Sequence, residues 1–564
     1  MHMSSVADDR IAADLVLLNG TVLTLDPMGS RTEAAAVRQG RIADLGSNRS
    51  IAELVGDRTE VLDLQGRTVI PGFVESHNHP TFFGLTLAVQ VDAGTPPNET
   101  IAHVVDRVAA AVRDAARGEW IRGYRYDDTL LKDNRHPTRQ DLDRAAPHNP
   151  VVLTHVSGHF CVVNSAGLRA AGIDATTADP PGGAIARDES GRPSGLLVET
   201  AAFLVNSQNG QDVDGVCEAL LLADREYSAH GVTTVHDTGI GLLAGDAELS
   251  AYRRLAARRA LATRVRGYLF HDLVPGLGGG GHELGPVEAG VAGLDDQRFA
   301  LTGVKIIADG SLQGLTGCVA EGYACAPDEH GMMLLDPPEL SERIAALDAA
   351  GWQVAVHGNG DAAIDAITDA YARLDAPGGT GRRHRIEHCQ TAREDQLDRM
   401  AEHDVLASFF IKHVYYWGDR HRDVFLGDDR ARRISPLASA RSRGMRYGLH
   451  SDTPVTPVPP LEGIWCAVAR RTRAGLPLGP EQSVDVETAL RGYTLDAAHL
   501  AGEETSKGSA ERGKLADFAV LSRDPTRVPA DELKDVRVEA TLVGGTVVHA
   551  TEPVAAGRTF GGRR

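Results

Sequence analysis

Through the middle of this 564-residue chain, short apolar runs alternate with stretches of helical character. The runs are VVLTHV (151–156), GVTTVHD (231–237), TGVKIIADG (302–310), WQVAVHG (352–358), HRIEHC (384–389) and YGLHSD (447–452). Ala-, Leu-, Arg- and Asp-rich helical stretches lie at 101–117, 216–230, 340–350, 362–374 and 393–403. Repeated strand-then-helix units predict a parallel sheet, because parallel neighbours need a long crossover and a helix is the usual one. At this length the leading fold is α/β, a TIM (β/α)8 barrel, with its active site at the C-terminal ends of the strands. A doubly wound sheet is the less favoured alternative.

The two ends of the chain differ from the middle. Residues 14 to 70 read as short strands separated by turns at Asn19-Gly20, Gln39-Gly40 and Gln65-Gly66, a small β-meander. GKLADFAVLSRDP and VRVEATLVGGTVVHA, the latter turning at Gly544-Gly545, give the C-terminus the same character. The expected organisation is a β-sandwich domain built from 1–70 plus 496–564 and a barrel over 71–495. A Gly/Pro-rich insertion at about 82–210 would cover the barrel mouth, and residues 557–564 are expected to fray.

Composition removes several classes of function. A formal charge of −19 argues against nucleic acid or an anionic membrane as partner, since both need basic footprints. No apolar run is long enough to span a bilayer, and the first residues carry no secretory signal. The six cysteines show no CxxC and no paired spacing, which fits a reducing compartment. The expectation is a cytoplasmic enzyme acting on a small molecule.

Residues 69–80, VIPGFVESHNHP, deliver His77 and His79 two apart at the end of an apolar run. On a strand, i and i+2 share a face, so both imidazoles aim at one point. Four later runs also end in, or contain, a ligand-type side chain. Lys305 lies inside TGVKIIADG, His357 ends WQVAVH, His388 ends HRIEH beside Glu387, and Asp452 ends YGLHSD. A lysine buried in such a strand has a lowered pKa, and its neutral amine can react with carbon dioxide to form a carbamate. Four imidazoles, a lysine and a carboxylate suit Zn²⁺, with Mn²⁺, Fe²⁺ or Co²⁺ as alternatives. Six ligands exceed the needs of one catalytic zinc but fit two ions bridged by carboxylated Lys305 and water.

The segments PGFVESHNHP, VKIIADGS, VAVHGNGD, RIEHC and LHSDTPV, in this order, resemble the motif series of the amidohydrolase superfamily. The closer resemblance is to the YtcJ-like branch, which includes N-substituted formamide deformylases. It extends to both ends, through NGTVLTLD…GRIADLG…DLQGRTVIPG and GSAERGKLADFAVLSRDP…TLVGGTVV. The resemblance implies His77 and His79 on a first metal with Asp452, His357 and His388 on a second, and Lys305 as carboxylated bridge. It also implies a homodimer. One departure is Glu75, where the superfamily usually has Asp; its longer side chain is expected to alter the orientation of the histidines.

The implied function is hydrolysis of a non-peptide C–N bond, amide or N-formyl, by a metal-bound hydroxide. Asp452 is the general base and then acid, with Glu387 in reserve. On the substrate side, HVSGHFCVVNSAGL contains His155, His159 and Asn164, of which His159 is the candidate contact to the scissile group. Glu199 in GLLVETA is a candidate lid contact. FFIKHVYYWGDRH (409–421) holds five of the scarce aromatics beside His413, and is expected to end the seventh strand and to wall an apolar substrate pocket with His413 and Trp417. Gln313 and Thr316 are further candidates. The alternatives are a mononuclear deaminase of a ring amidine, a lactone or ester hydrolase, and an inactive barrel used for binding.

Overall fold

The computed structural model describes residues 12–95, 97–206, 211–274, 297–374 and 381–560. Eight strands follow one another in a parallel sheet: Phe73–Asn78, Val232–Ile240, Arg264–Phe270, Phe299–Ile307, Gln353–Gly358, Arg385–His388, Leu406–Phe409 and Tyr447–Leu449. These are the first to eighth barrel strands. Side chains close the seam between the first and the eighth. Ser76 Oγ donates to the Leu449 carbonyl at 3.0 Å, and Asn78 Oδ1 accepts the Thr453 N–H at 2.7 Å. The result is a TIM barrel.

The strands are buried on both faces, which is why they read as near-continuous apolar runs. Their outer face (Val235, Leu269, Val304, Val354 and Ile386 among others) packs on helix residues such as Leu220, Leu255, Ile344, Ile367 and Leu397 in one continuous core. Each such side chain contributes about 1.5–3 kcal/mol on burial. The helices that supply these contacts are Val213–Ala229, Asp246–Ala257, Pro337–Ala349, Asp361–Ala372 and Glu394–Glu402. Phe409 ends the seventh strand, as its sequence context predicted.

Strands from both ends of the chain share two further sheets. One is ordered Arg558–Phe560, Glu60–Asp63, Leu15–Leu18, Ala34–Arg38, Arg41–Gly46. The other is Thr546–Ala550, Val538–Val543, Phe518–Leu521, Thr68–Pro71, Thr21–Leu23, Arg31–Thr32. Leu17, Val22, Leu62, Phe518 and Leu542 interleave between them. The meander expected from the turns is only partly realised. Gln39-Gly40 and Gly544-Gly545 do join antiparallel neighbours. Asn19-Gly20 and Gln65-Gly66 instead carry the chain from one sheet to the other. A Cβ at position 20 would lie 2.5 Å from Leu64 Cδ1, so the glycine there serves close packing between the two crossings. Residues 558–560, expected to fray, form an edge strand against Glu60–Asp63; the rest of that tail, 561–564, lies outside the described residues.

Between the first and second barrel strands runs a separate mixed sheet, Gly183–Arg187, Pro193–Glu199, Phe160–Val163, Val151–His155, Ile121–Tyr126, Val91–Asp92. VVLTHV therefore belongs to this insertion and not to the barrel, and helix Ile101–Asp114 packs beneath the same sheet. Among the described residues no helix is long and apolar enough to cross a membrane.

Candidate active site

At the C-terminal ends of the barrel strands the predicted ligand residues draw together. His77 is the fifth residue of its strand, and His79 follows the strand end, immediately before helix Pro80–Leu87. Their rings stand 5.1 Å apart, and the Nε2 atoms of both lie 3.4 Å from the same oxygen, Asp452 Oδ1. The His388 ring is 4.6 Å from that of His77 and 4.5 Å from that of His357. One cavity is lined by His79, Lys305, His357, His388 and Asp452.

Two backbone features turn these side chains inward. His388 and Asp452 both have positive φ, 67° and 52°, the left-handed region that non-glycine residues rarely occupy. Such conformations concentrate at functional sites, where the surrounding structure over-determines them. At His388 the turn breaks the alternation of the strand, so that Glu387 and His388, which a regular strand would send to opposite faces, both reach the interior. Glu387 is fully buried, and its Oε2 lies 2.5 Å from His77 Nδ1.

Burial sets the protonation of the group. It drives the imidazoles of His77, His357 and His388 well below their usual pKa, with the Lys305 charge acting the same way, and takes His79 down to about 3. Neutral imidazole is the form that ligates a metal. Burial lowers Lys305 to about 8 against the pull of Glu387 and Asp452, and raises Asp452 to about 7 against Lys305 and His159. His77 Nε2 and Asp452 Oδ1 are buried polar atoms with no hydrogen-bond partner. Two bare acceptors facing each other at 3.4 Å fit a cation between them. His77, His388 and Asp452 bring ligand atoms within 4.8 Å of one another.

The insertion contributes one more pair. His159 Nδ1 is 2.7 Å from Glu199 Oε2, and both line the same cavity. The His159 ring stands 5.6 Å from that of His357. Burial works to lower the His159 pKa, but the Glu199 charge and hydrogen bond outweigh it and the net shift is upward. Phe82, Phe203, Leu242 and Phe270 form apolar walls.

Other sequence candidates sit elsewhere. His413 packs on Phe410 at 4.3 Å between rings and faces His421 and Gln313. Trp417 donates toward Asp127 Oδ2 at 3.4 Å and walls a neighbouring groove. The chain after the seventh strand turns at once into the short helix His413–Tyr416, which carries both away from the metal-side cavity. Thr316 Oγ1 accepts the Ser311 N–H at 3.0 Å within its own loop. Asn164 caps helix Ser165–Ala170, and His155 lies between Ser157 and Asp128. Glu75 does not touch the histidines. It accepts from Asn78 Nδ2 at 2.9 Å and from Ser451 N–H and Oγ at 3.0 and 2.8 Å, tying the first strand to the eighth.

Residues not singled out in the sequence also matter. Asp309 accepts the N–H groups of Cys318, Asn359 and Gly360 at 2.8–3.0 Å, fixing the loops beyond the fourth and fifth strands. His450 Nε2 lies 3.2 Å from His388 Nδ1, and Ser408 Oγ 2.8 Å from its other nitrogen. Its position two before Asp452, i and i+2 at a strand end, was the available signal.

Residues 60–549 match the amidohydrolase family. The chain is 32% identical over 553 residues to the N-substituted formamide deformylase of Arthrobacter pascens, covering 95% of this chain and 98% of that protein. It is 30% identical to YtcJ of Bacillus subtilis strain 168, over 94% of this chain and 98% of the other. The crystal structure of an uncharacterised metal-dependent hydrolase from Pyrococcus furiosus is similar with a TM-score of 0.70 at 27% identity, over 91% of this chain and 100% of that one.

Proposed function

Since the chain belongs to the amidohydrolase family and is a hydrolase of non-peptide C–N bonds, we propose that it uses a binuclear metal centre to cleave the amide of an N-substituted formamide or a close relative. The observation that carries this reading is the pair of bare, buried acceptors, His77 Nε2 and Asp452 Oδ1, beside a cavity that also receives His79, Lys305, His357 and His388.

His77, His79 and Asp452 would hold one divalent ion, zinc first, and His357 and His388 a second, with carboxylated Lys305 between them. When bound, the ions supply the charge that polarises a carbonyl and lowers the pKa of water. Asp452, poised near neutrality, accepts the proton of the attacking water and hands it to the departing nitrogen. His159, oriented by Glu199, faces the scissile group and holds it in register. Phe82, Phe203, Leu242 and Phe270 take the N-substituent, excluding water from that side. The six free cysteines support a cytoplasmic setting, and we extend the reading to a homodimer by family resemblance.

A single-ion deaminase is the second reading. It is favoured by one observation, that among the six proposed ligands His77, His388 and Asp452 bring ligand atoms within 4.8 Å of one another, close enough for one ion. Purified protein supplied with Zn²⁺ and bicarbonate should release formate from N-substituted formamides and lose that activity to a chelator. Ammonia release from ring amidines without formamide hydrolysis would favour the second reading, and no hydrolysis of any amide, formamide or ester would overturn both.

A further inference from the structure

Beneath the ligand set the barrel lumen is charged. Arg385 and Glu387, two apart on the sixth strand, both project inward and both are fully buried. Glu387 Oε2 lies 2.5 Å from His77 Nδ1, and Glu387 Oε1 lies 2.6 Å from Arg385 Nε. The guanidinium is held on its other sides too. Nη1 donates to His236 Nδ1 and Nη2 to the Ser76 carbonyl, each at 3.1 Å, and its plane stands 4.4 Å over the Tyr268 ring. Tyr268 in turn donates to Gln353 Oε1 at 2.7 Å. A buried ion pair is expensive in desolvation and is weak evidence for stability as such. Its placement against a ligand points to another use.

With Glu387 Oε2 seated against His77 Nδ1 at 2.5 Å, that nitrogen is occupied and its ring plane is fixed, so Nε2 is the nitrogen left to meet a metal. Nε2 is the atom without a partner, 3.4 Å from Asp452 Oδ1. We propose that Glu387, clamped by Arg385, is a positioning residue that fixes His77 as an Nε2 metal ligand. The RIEH segment then supplies one ligand, His388, and the tautomer and ring orientation of a second on a different strand. The proposal rests on the metal-centre reading above.

Metal-free native protein and Glu387→Gln are titrated with Zn²⁺ alone against a chromophoric chelator, and with Co²⁺ followed by its visible absorption. A glutamine cannot serve as an anionic acceptor for the Nδ1 proton. The expected result is a zinc affinity about 10–100-fold lower in the variant, with an altered Co²⁺ band and an unchanged far-ultraviolet spectrum. Equal affinity and an identical Co²⁺ band overturn the proposal and leave Glu387 as lumen packing. A native protein that binds neither ion overturns the metal-centre reading itself. Should the variant not fold, anomalous diffraction from the zinc-loaded native protein decides. Zinc on His77 Nε2 with Glu387 at Nδ1 supports the proposal; zinc on Nδ1, or on Glu387, overturns it.

Discussion

Asp452 combines three properties that seldom meet in one carboxylate. Its backbone is left-handed, one oxygen is buried without a partner, and burial holds its pKa near 7. A group so placed can carry a proton from water to nitrogen, and Asp452→Asn is expected to lower kcat by orders of magnitude with metal content retained, checked by steady-state kinetics beside elemental analysis. Asp237, in the same cavity wall, gives a pH test. Burial, with Glu248 adding, raises it to about 8, and it accepts from Tyr252 Oη at 2.6 Å and Gly239 N–H at 3.1 Å. A carboxyl raised in the folded state stabilises fully below its unfolded pKa, and that stability drains away as pH rises through the folded value. From about pH 6 to about pH 9 the native protein should lose on the order of 2–3 kcal/mol on this account. Asp237→Asn should flatten that slope in thermal or denaturant unfolding measured across the range. At this scale the residues that draw together at the strand ends were legible, because polar residues at the ends of apolar runs stand out. The place of Glu387 was not, because regular alternation beside an inward His388 would turn Glu387 outward, and it is the positive φ at His388 that lets both neighbours face the interior. His413 and Trp417 were misplaced because a cluster of aromatics in sequence does not say on which side of a turn it will pack.

Between elements, the junction that matters most is the seam of the barrel. The eighth strand is only three residues long, and Glu75 holds the loop beyond its end to the first strand through Ser451 and Asn78. Glu75→Asp, one methylene shorter, cannot keep all three contacts, and the loss of buried charge-assisted hydrogen bonds costs about 1–3 kcal/mol. A lowered unfolding midpoint is the expected outcome of calorimetry on that variant. The strand-helix alternation was legible at this level. The partners of the terminal strands were not. Asn19-Gly20 and Gln39-Gly40 look alike in sequence, yet one bridges two sheets and the other closes a hairpin. A turn signal specifies a reversal of the chain, whereas the layer that receives the next strand is set by which apolar face it must cover.

In the whole molecule, residues hundreds of positions apart make one site. The insertion meets the barrel through tight contacts. A Cβ on Gly314 would lie 2.0 Å from the Phe160 ring, and one on Gly310 2.3 Å from Glu199 Oε1. Nothing local in the sequence announces such contacts, so the seating of His159 over His357 was not legible there. In the proposed function the barrel supplies the metal ligands and the insertion one wall, and that reading depends on the barrel residues sharing metal. Elemental analysis of the native chain and of Lys305→Ala, each loaded with Zn²⁺ in the presence of bicarbonate, tests this most directly. The account predicts two ions per native chain and fewer in the variant; a native chain that holds none, or a variant that holds as many as the native, contradicts it.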